Sequence, residues 1–204
     1  MAIVFTTQDH ADIATAINQG GDVWKNRLLD NVKTKIKNYY LLVPSPRCCY
    51  CSRLFVGEFR MVVDIEHILP QSQFGSERFV QNNLNIACKR CNMEIKKSDI
   101  SFIQNITTMG ADYYNSIHYK LIHPNLDIYE DHLIRNELRN KNIILVKYSW
   151  KNNGKGLFTY QYFKLDELEI DTLNTAQGIT LRQDFLSSIT DKVRRKLLKI
   201  LINI

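Results

Sequence analysis

The chain has 204 residues, 45% hydrophobic and 24% charged, which excludes a disordered or fibrous polymer. No apolar run approaches the roughly 20 residues of a membrane span, and Lys192, Arg194, Arg195, Lys196 and Lys199 interrupt the longest candidate. Lys and Arg number 27 against 21 Asp and Glu, and the net charge of +6 favours a polyanionic partner without naming one.

Taken in chain order, residues 8–19 have a helical pattern, with Thr7 as N-cap and Gly20-Gly21 as the stop. Trp24, Leu28, Val32 and Ile36 recur every four residues and predict an amphipathic helix over 22–40. Pro44-Ser45-Pro46 breaks the chain. Alternation predicts a strand from Phe59 to Ile65, ended before Pro70, then a loop or short helix over 71–82. A second short strand over 84–87 and a short helix over 92–97 follow. Residues 100–140 suggest several helices, and 142–150 with 157–164 suggest a β-hairpin around the turn 151–156. Further helices are expected over 165–174 and 179–202, the last broken near Thr190-Asp191. The predicted organisation is α+β: an N-terminal helical segment (1–45), a core (46–100) and a mixed helical and hairpin region (101–204).

Five cysteines lie in two tight clusters. An odd number, with no secretory signal ahead of it, argues against a disulfide framework and for a cytoplasmic protein. Cys48 to Cys51 and Cys88 to Cys91 are both C-x-x-C, and two such knuckles supply the S₄ tetrahedron that zinc prefers. Cys49 is left as a small packed side chain. Neither pair opens the helix of a βαβ unit, which disfavours redox chemistry.

Between the knuckles the chain reads Asp64-Ile65-Glu66-His67-Ile68-Leu69-Pro70, and after the second it continues Asn92-Met93-Glu94-Ile95-Lys96-Lys97. A histidine beside carboxylates suits phosphodiester hydrolysis, because a neutral imidazole can take a proton from water near pH 7. The scissile phosphate and leaving oxygen need a cation, and Glu66 and Asn92 offer hard oxygens for Mg²⁺ or Mn²⁺.

The stretch from Cys48 to about Asp99 resembles the HNH endonucleases, the ββα-metal nucleases with a Cys₄ zinc site. The shared pattern is C-x-x-C, acid-His-Ile-x-Pro, Asn-Leu, then C-x-x-C-Asn-x-x-x-Lys. The resemblance implies DNA cleavage by metal-activated water, with His67 as general base and Cys48, Cys51, Cys88 and Cys91 as structural zinc ligands. It places Glu66 and Asn92 on the catalytic ion, with Asp64 as a nearby supporting acid and a third candidate ligand. Asn83 corresponds to the residue that pins the loop and orients the base, with Asn82 and Asn85 as rivals. Lys96 and Lys97 correspond to residues facing phosphate, and Lys89 and Arg90 join them as candidate nucleic-acid contacts.

Residues 122–132 are similar to a segment of HNH proteins from bacterial anti-phage systems of the Septu type and its retron-linked relatives. That likeness implies an ATPase partner. A stand-alone restriction-type nuclease and a non-catalytic zinc module that binds nucleic acid are the alternatives. His118, His123 and His132, near Asp127, Glu130 and Asp131, read as polar helix ends rather than a second metal site. The final helix reads as core or as a contact between copies of the chain.

Overall fold

A computed structural model describes residues 2–140, 143–151 and 154–170. Helix α1 (Thr7–Gln19) starts in a capping box: Asp9 N–H donates to the Thr6 hydroxyl, and Thr6 N–H donates to the Asp9 carboxylate. The cap is therefore Thr6 rather than Thr7, because the carboxylate able to reach back stands at position 9. Gly20, at φ 69°, closes the helix.

The helix expected over 22–40 is divided. Val23–Lys25 and Arg27–Leu29 are single 3₁₀ turns, and α2 spans Asp30–Leu41. The Asn26 side chain accepts from Leu28 N–H and restarts the chain, overriding the four-residue apolar repeat. Val32 and Ile36 still reach a small apolar cluster with Ala16, Leu29 and Leu84, against which Trp24 packs.

Strands β1 (Val63–His67) and β2 (Leu84–Cys88) pair antiparallel, with Asp64 opposite Ala87 and His67 opposite Leu84. Arg60–Val62 is a 3₁₀ turn rather than the start of the strand, and Phe59 and Met61 are each 82% exposed. Alternating residues with nothing to pair against do not form a strand. After β2 the chain turns through a π-helix, Arg90–Lys96, in place of the short helix expected over 92–97. Lys97 N–H donates to the Asn92 carbonyl at its end.

Beyond residue 100 the expectation of several helices is corrected. Ile106–Met109 (α3) and Tyr129–His132 (α4) are single turns. Leu133–Asn140 is a strand, β3, paired antiparallel with β4 (Ile143–Trp150). The segment expected as the second hairpin strand is instead helix α5 (Lys155–Tyr162). Its Gly156 lies so close to the chain at His132 that a Cβ there would stand 2.2 Å from the His132 carbonyl oxygen. Leu165–Leu168 is a 3₁₀ turn, and both the rest of the helix expected over 165–174 and the helix over 179–202 lie outside the described residues.

The fold is α+β. Its larger apolar cluster joins the cysteine knuckles to Val63 and Ile86, to Phe102 and Tyr119, and to Leu133, Val146, Tyr148 and Phe163. Residues after 100 thus share a core with the knuckles. Among the described residues no helix is long and apolar enough to cross a membrane.

Candidate active site and zinc centre

The sulfurs of Cys48, Cys51, Cys88 and Cys91 all lie within 4.8 Å of one another, and all four residues are buried. Cys51 Sγ and Cys88 Sγ are 3.8 Å apart. A tetrahedron with Zn–S arms of ~2.3 Å has edges of roughly 3.8 Å, so the set fits zinc. Local turns build it. Ser52 N–H donates to the Cys48 carbonyl, with Ser52 at φ 53°, while Cys88 ends β2 and Cys91 sits in the π-helix. Cys88 N–H also donates to Cys48 Sγ at 3.3 Å, a bond suited to a thiolate. Cys49 packs against the core and donates its N–H to Ile86.

His67 ends β1 and is 8% exposed. Its Nε2 lies 3.1 Å from the Arg78 carbonyl oxygen. A carbonyl only accepts, so the neutral ring carries its proton on Nε2 and keeps Nδ1 as an acceptor. The Trp24 ring meets the imidazole edge-on, with centroids 4.4 Å apart. Burial pushes the His67 pKa down to about 4, with the nearby Lys96 and Arg78 charges acting in the same direction. The ring is therefore neutral at pH 7.

Asn83 is 1% exposed and pins the loop after β1. Leu69 N–H donates to its Oδ1 at 2.7 Å, and its Nδ2 donates to the carbonyls of Leu69 at 3.1 Å and Glu77 at 3.0 Å. Asn85 is engaged elsewhere: its amide donates to Asn125. The Asn125 amide in turn donates to the carbonyls of Asn82 and Leu84. These contacts separate Asn83 from its two rivals.

His67, Asp64 and Asn92 line one cleft of ≈ 870 Å³. Asn92 Nδ2 and Asp64 Oδ2 are 3.4 Å apart, and Lys89 Nζ donates to Asp64 Oδ1 at 2.8 Å. The Asn92 amide thus turns its nitrogen to the Asp64 carboxylate; with the amide rotated to present its oxygen, the pair would be a donor set for a hard divalent cation.

Glu66 departs from its expected place. It is 0% exposed and does not line the cleft; the Tyr50 hydroxyl donates to it at 2.9 Å and Lys96 Nζ lies 2.7 Å away. Burial raises its pKa, against the lowering pull of Lys96. Asp64, rather than Glu66, stands beside Asn92.

Two of the expected phosphate contacts are engaged within the protein. Lys96 is 1% exposed, and its ammonium is spent on Glu66 and on the His67 carbonyl. Arg90 donates to the carbonyls of Phe163 and Lys164 and to Glu167, so it fastens the end of α5 to the zinc centre. Lys89 and Lys97 do line the cleft. So do Trp24, Lys33, Thr34, Lys37 and Arg60, none of which the motif pattern marked. The four-residue spacing of Lys33 and Lys37 was a signal that they share one helix face.

His118 approaches Asp112 at 3.1 Å and His132 approaches Asp127 at 4.0 Å. His123 is buried at 1% exposure, and its Nδ1 accepts from Asn125 N–H. Among the described residues, these histidines and the neighbouring acids do not converge as the four cysteines do.

No curated protein and no solved structure matches the chain. The family model for HNH endonuclease matches residues 48–98, from the first zinc cysteine to just past the π-helix. The zinc-ready knuckles, the β1–β2 pair and the π-helix together make up the span that the HNH endonuclease model matches.

Proposed function

We propose that the protein is a metal-dependent endonuclease that hydrolyses phosphodiester bonds in DNA. The observation that carries this reading is His67: a neutral imidazole on the cleft wall, its Nε2 tied to Arg78 and its Nδ1 left to accept a proton. In the proposed mechanism Nδ1 takes a proton from the attacking water, while Asn83 and Trp24 hold the loop and the ring in place. Asp64 and Asn92 would hold a Mg²⁺ or Mn²⁺ ion, which would offset charge on the phosphate and the leaving oxygen. Lys89 and Lys97 face the substrate's phosphates from the same wall.

Supercoiled plasmid incubated with Mg²⁺ or Mn²⁺ tests the proposal. His67→Ala should cut roughly 10²–10⁴-fold more slowly at unchanged zinc content. Equal cleavage by wild type and variant would reject His67 as the base, and a zinc-loaded wild type that binds DNA but never cuts it would favour a non-catalytic module.

The likeness of residues 122–132 to anti-phage HNH proteins supports, as part of the same proposal, a place beside an ATPase subunit inside the cell. Within the fold, Asn125 and Asp127 of that stretch make internal contacts, to the chain entering β2 and to Lys155, so the partner would dock elsewhere. Affinity capture from the native host, with light scattering on the purified chain, separates an ATPase complex from a self-sufficient monomer or homodimer.

A further inference from the structure

The cleft has two walls of different origin. One is the HNH domain, with Asp64, His67, Lys89, Asn92 and Lys97. The other is supplied largely by α2, which lies before the matched span and contributes Lys33, Thr34 and Lys37. Arg60 lies on the cleft as well and is exposed.

Among the described residues, five cationic side chains thus line the cleft against two acids, Asp30 and Asp64. The two acids are already engaged, Asp30 with Lys33 at 2.7 Å and Asp64 with Lys89 at 2.8 Å. Among the described residues, Lys37 Nζ donates to a neutral group, the Arg60 carbonyl, at 2.9 Å. Burial lowers the Lys37 pKa; Arg60 and Lys89 push it the same way and Asp64 opposes them, so charges of both walls act on one ammonium. Crowding like charges around a groove is costly unless a polyanion enters it. The scaffold supports the arrangement, because the adjoining face of α2 is anchored through Val32 and Ile36, both 0% exposed.

We propose that α2 is the second wall of the nucleic-acid site, with Lys33 and Lys37 gripping the phosphate backbone across the cleft from His67. The inference rests on the nuclease reading and deepens it. It assigns substrate contacts to a helix outside the HNH domain, and so explains why that domain is built against an N-terminal segment.

The full chain carrying His67→Ala, which removes the chemistry, is titrated with a fluorescent DNA duplex over a range of salt concentrations. Each phosphate contact contributes about 0.9 to the slope of log affinity against log salt. Adding Lys33→Ala and Lys37→Ala should lower the slope by about 1.8. Lys33→Arg with Lys37→Arg should retain it, which separates lost charge from a disturbed helix. An unchanged slope in the double Ala variant, with wild type still cutting plasmid, would overturn the second wall and leave the nuclease standing. A wild type that neither binds nor cuts DNA would overturn both.

Discussion

Lys96 and Lys97 are neighbours in sequence with opposite fates. Lys96 lies inside against Glu66, whereas Lys97 is exposed on the cleft. Removing one partner of a buried ion pair leaves an uncompensated charge, typically at a cost of about 3–5 kcal/mol. Lys96→Met should therefore lower the urea midpoint sharply while leaving the salt dependence of DNA binding alone. Lys97→Ala should do the reverse, reducing the salt slope by about 0.9. A stable Lys96→Met protein with a reduced slope would show the two roles exchanged. His67 makes a second prediction at this scale. Its folded pKa of about 4 lies below the ordinary value of 6.5, because burial disfavours the charged ring. Between those values the unfolded chain binds the extra proton, so the stabilisation is full above pH 6.5 and is lost as pH falls through about 4. His123, buried in the same way, adds to the same trend. Urea midpoints should fall from pH 7 towards acid, and less steeply in His67→Gln, with zinc content followed in parallel. Identical trends in the two proteins would contradict the burial argument.

At the scale of elements, the loop between β1 and β2 hangs on Asn83. Asn83→Ala would leave the Leu69 N–H and the Leu69 and Glu77 carbonyls without this partner inside the protein. An unsatisfied buried group costs about 1–3 kcal/mol, so a loss of a few kcal/mol is expected by chemical denaturation. Plasmid cleavage should drop while zinc content persists. Gly156 is a different case, where space rather than hydrogen bonding decides. A methyl group there would collide with the His132 backbone, so Gly156→Ala should lower the melting temperature by several degrees. No change would mean that α5 shifts freely. These two positions also show what could be read locally. Asn83 was marked by the Asn-Leu of its motif, and only neighbouring contacts set it apart from Asn82 and Asn85. The hairpin was half legible: β4 was recognisable from its apolar run, but its partner was not. Leu133–Asn140 is polar and helix-compatible by itself, and becomes a strand because Leu133 meets Trp150 and Glu137 meets Val146 across the turn.

At the scale of the whole molecule, zinc should organise far more than its two knuckles. The Tyr148 hydroxyl donates to the Cys51 carbonyl at 2.7 Å, and the Tyr129 hydroxyl donates to Tyr50 at 3.1 Å. Tyr50 itself stacks on Phe163 with centroids 4.2 Å apart. Removing the metal with a strong chelator should therefore also loosen β3, β4 and α5, seen as lost amide-exchange protection there, in one cooperative transition. Protection that survives in β3 and β4 would mean the C-terminal region stands by itself. Elemental analysis should find one zinc per chain.

The amino-acid sequence by itself determined the chemistry that depends on short spacing. Two residues between paired cysteines, an acid beside a histidine before a proline, and an asparagine directly after the second knuckle sufficed to mark the cysteine set and the span that the HNH endonuclease model matches. Such features survive in one dimension because local turns bring the groups together whatever the rest of the chain does. Only the tertiary structure decided which way each side chain points and what lies opposite. It turned Glu66 and Lys96 inward as a pair and set Asp64 beside Asn92. It also laid α2 along the cleft, more than twenty residues ahead of His67. Those outcomes depend on burial and on contacts between distant segments, where the cost of leaving a charge or an apolar face unpaired outweighs any local preference.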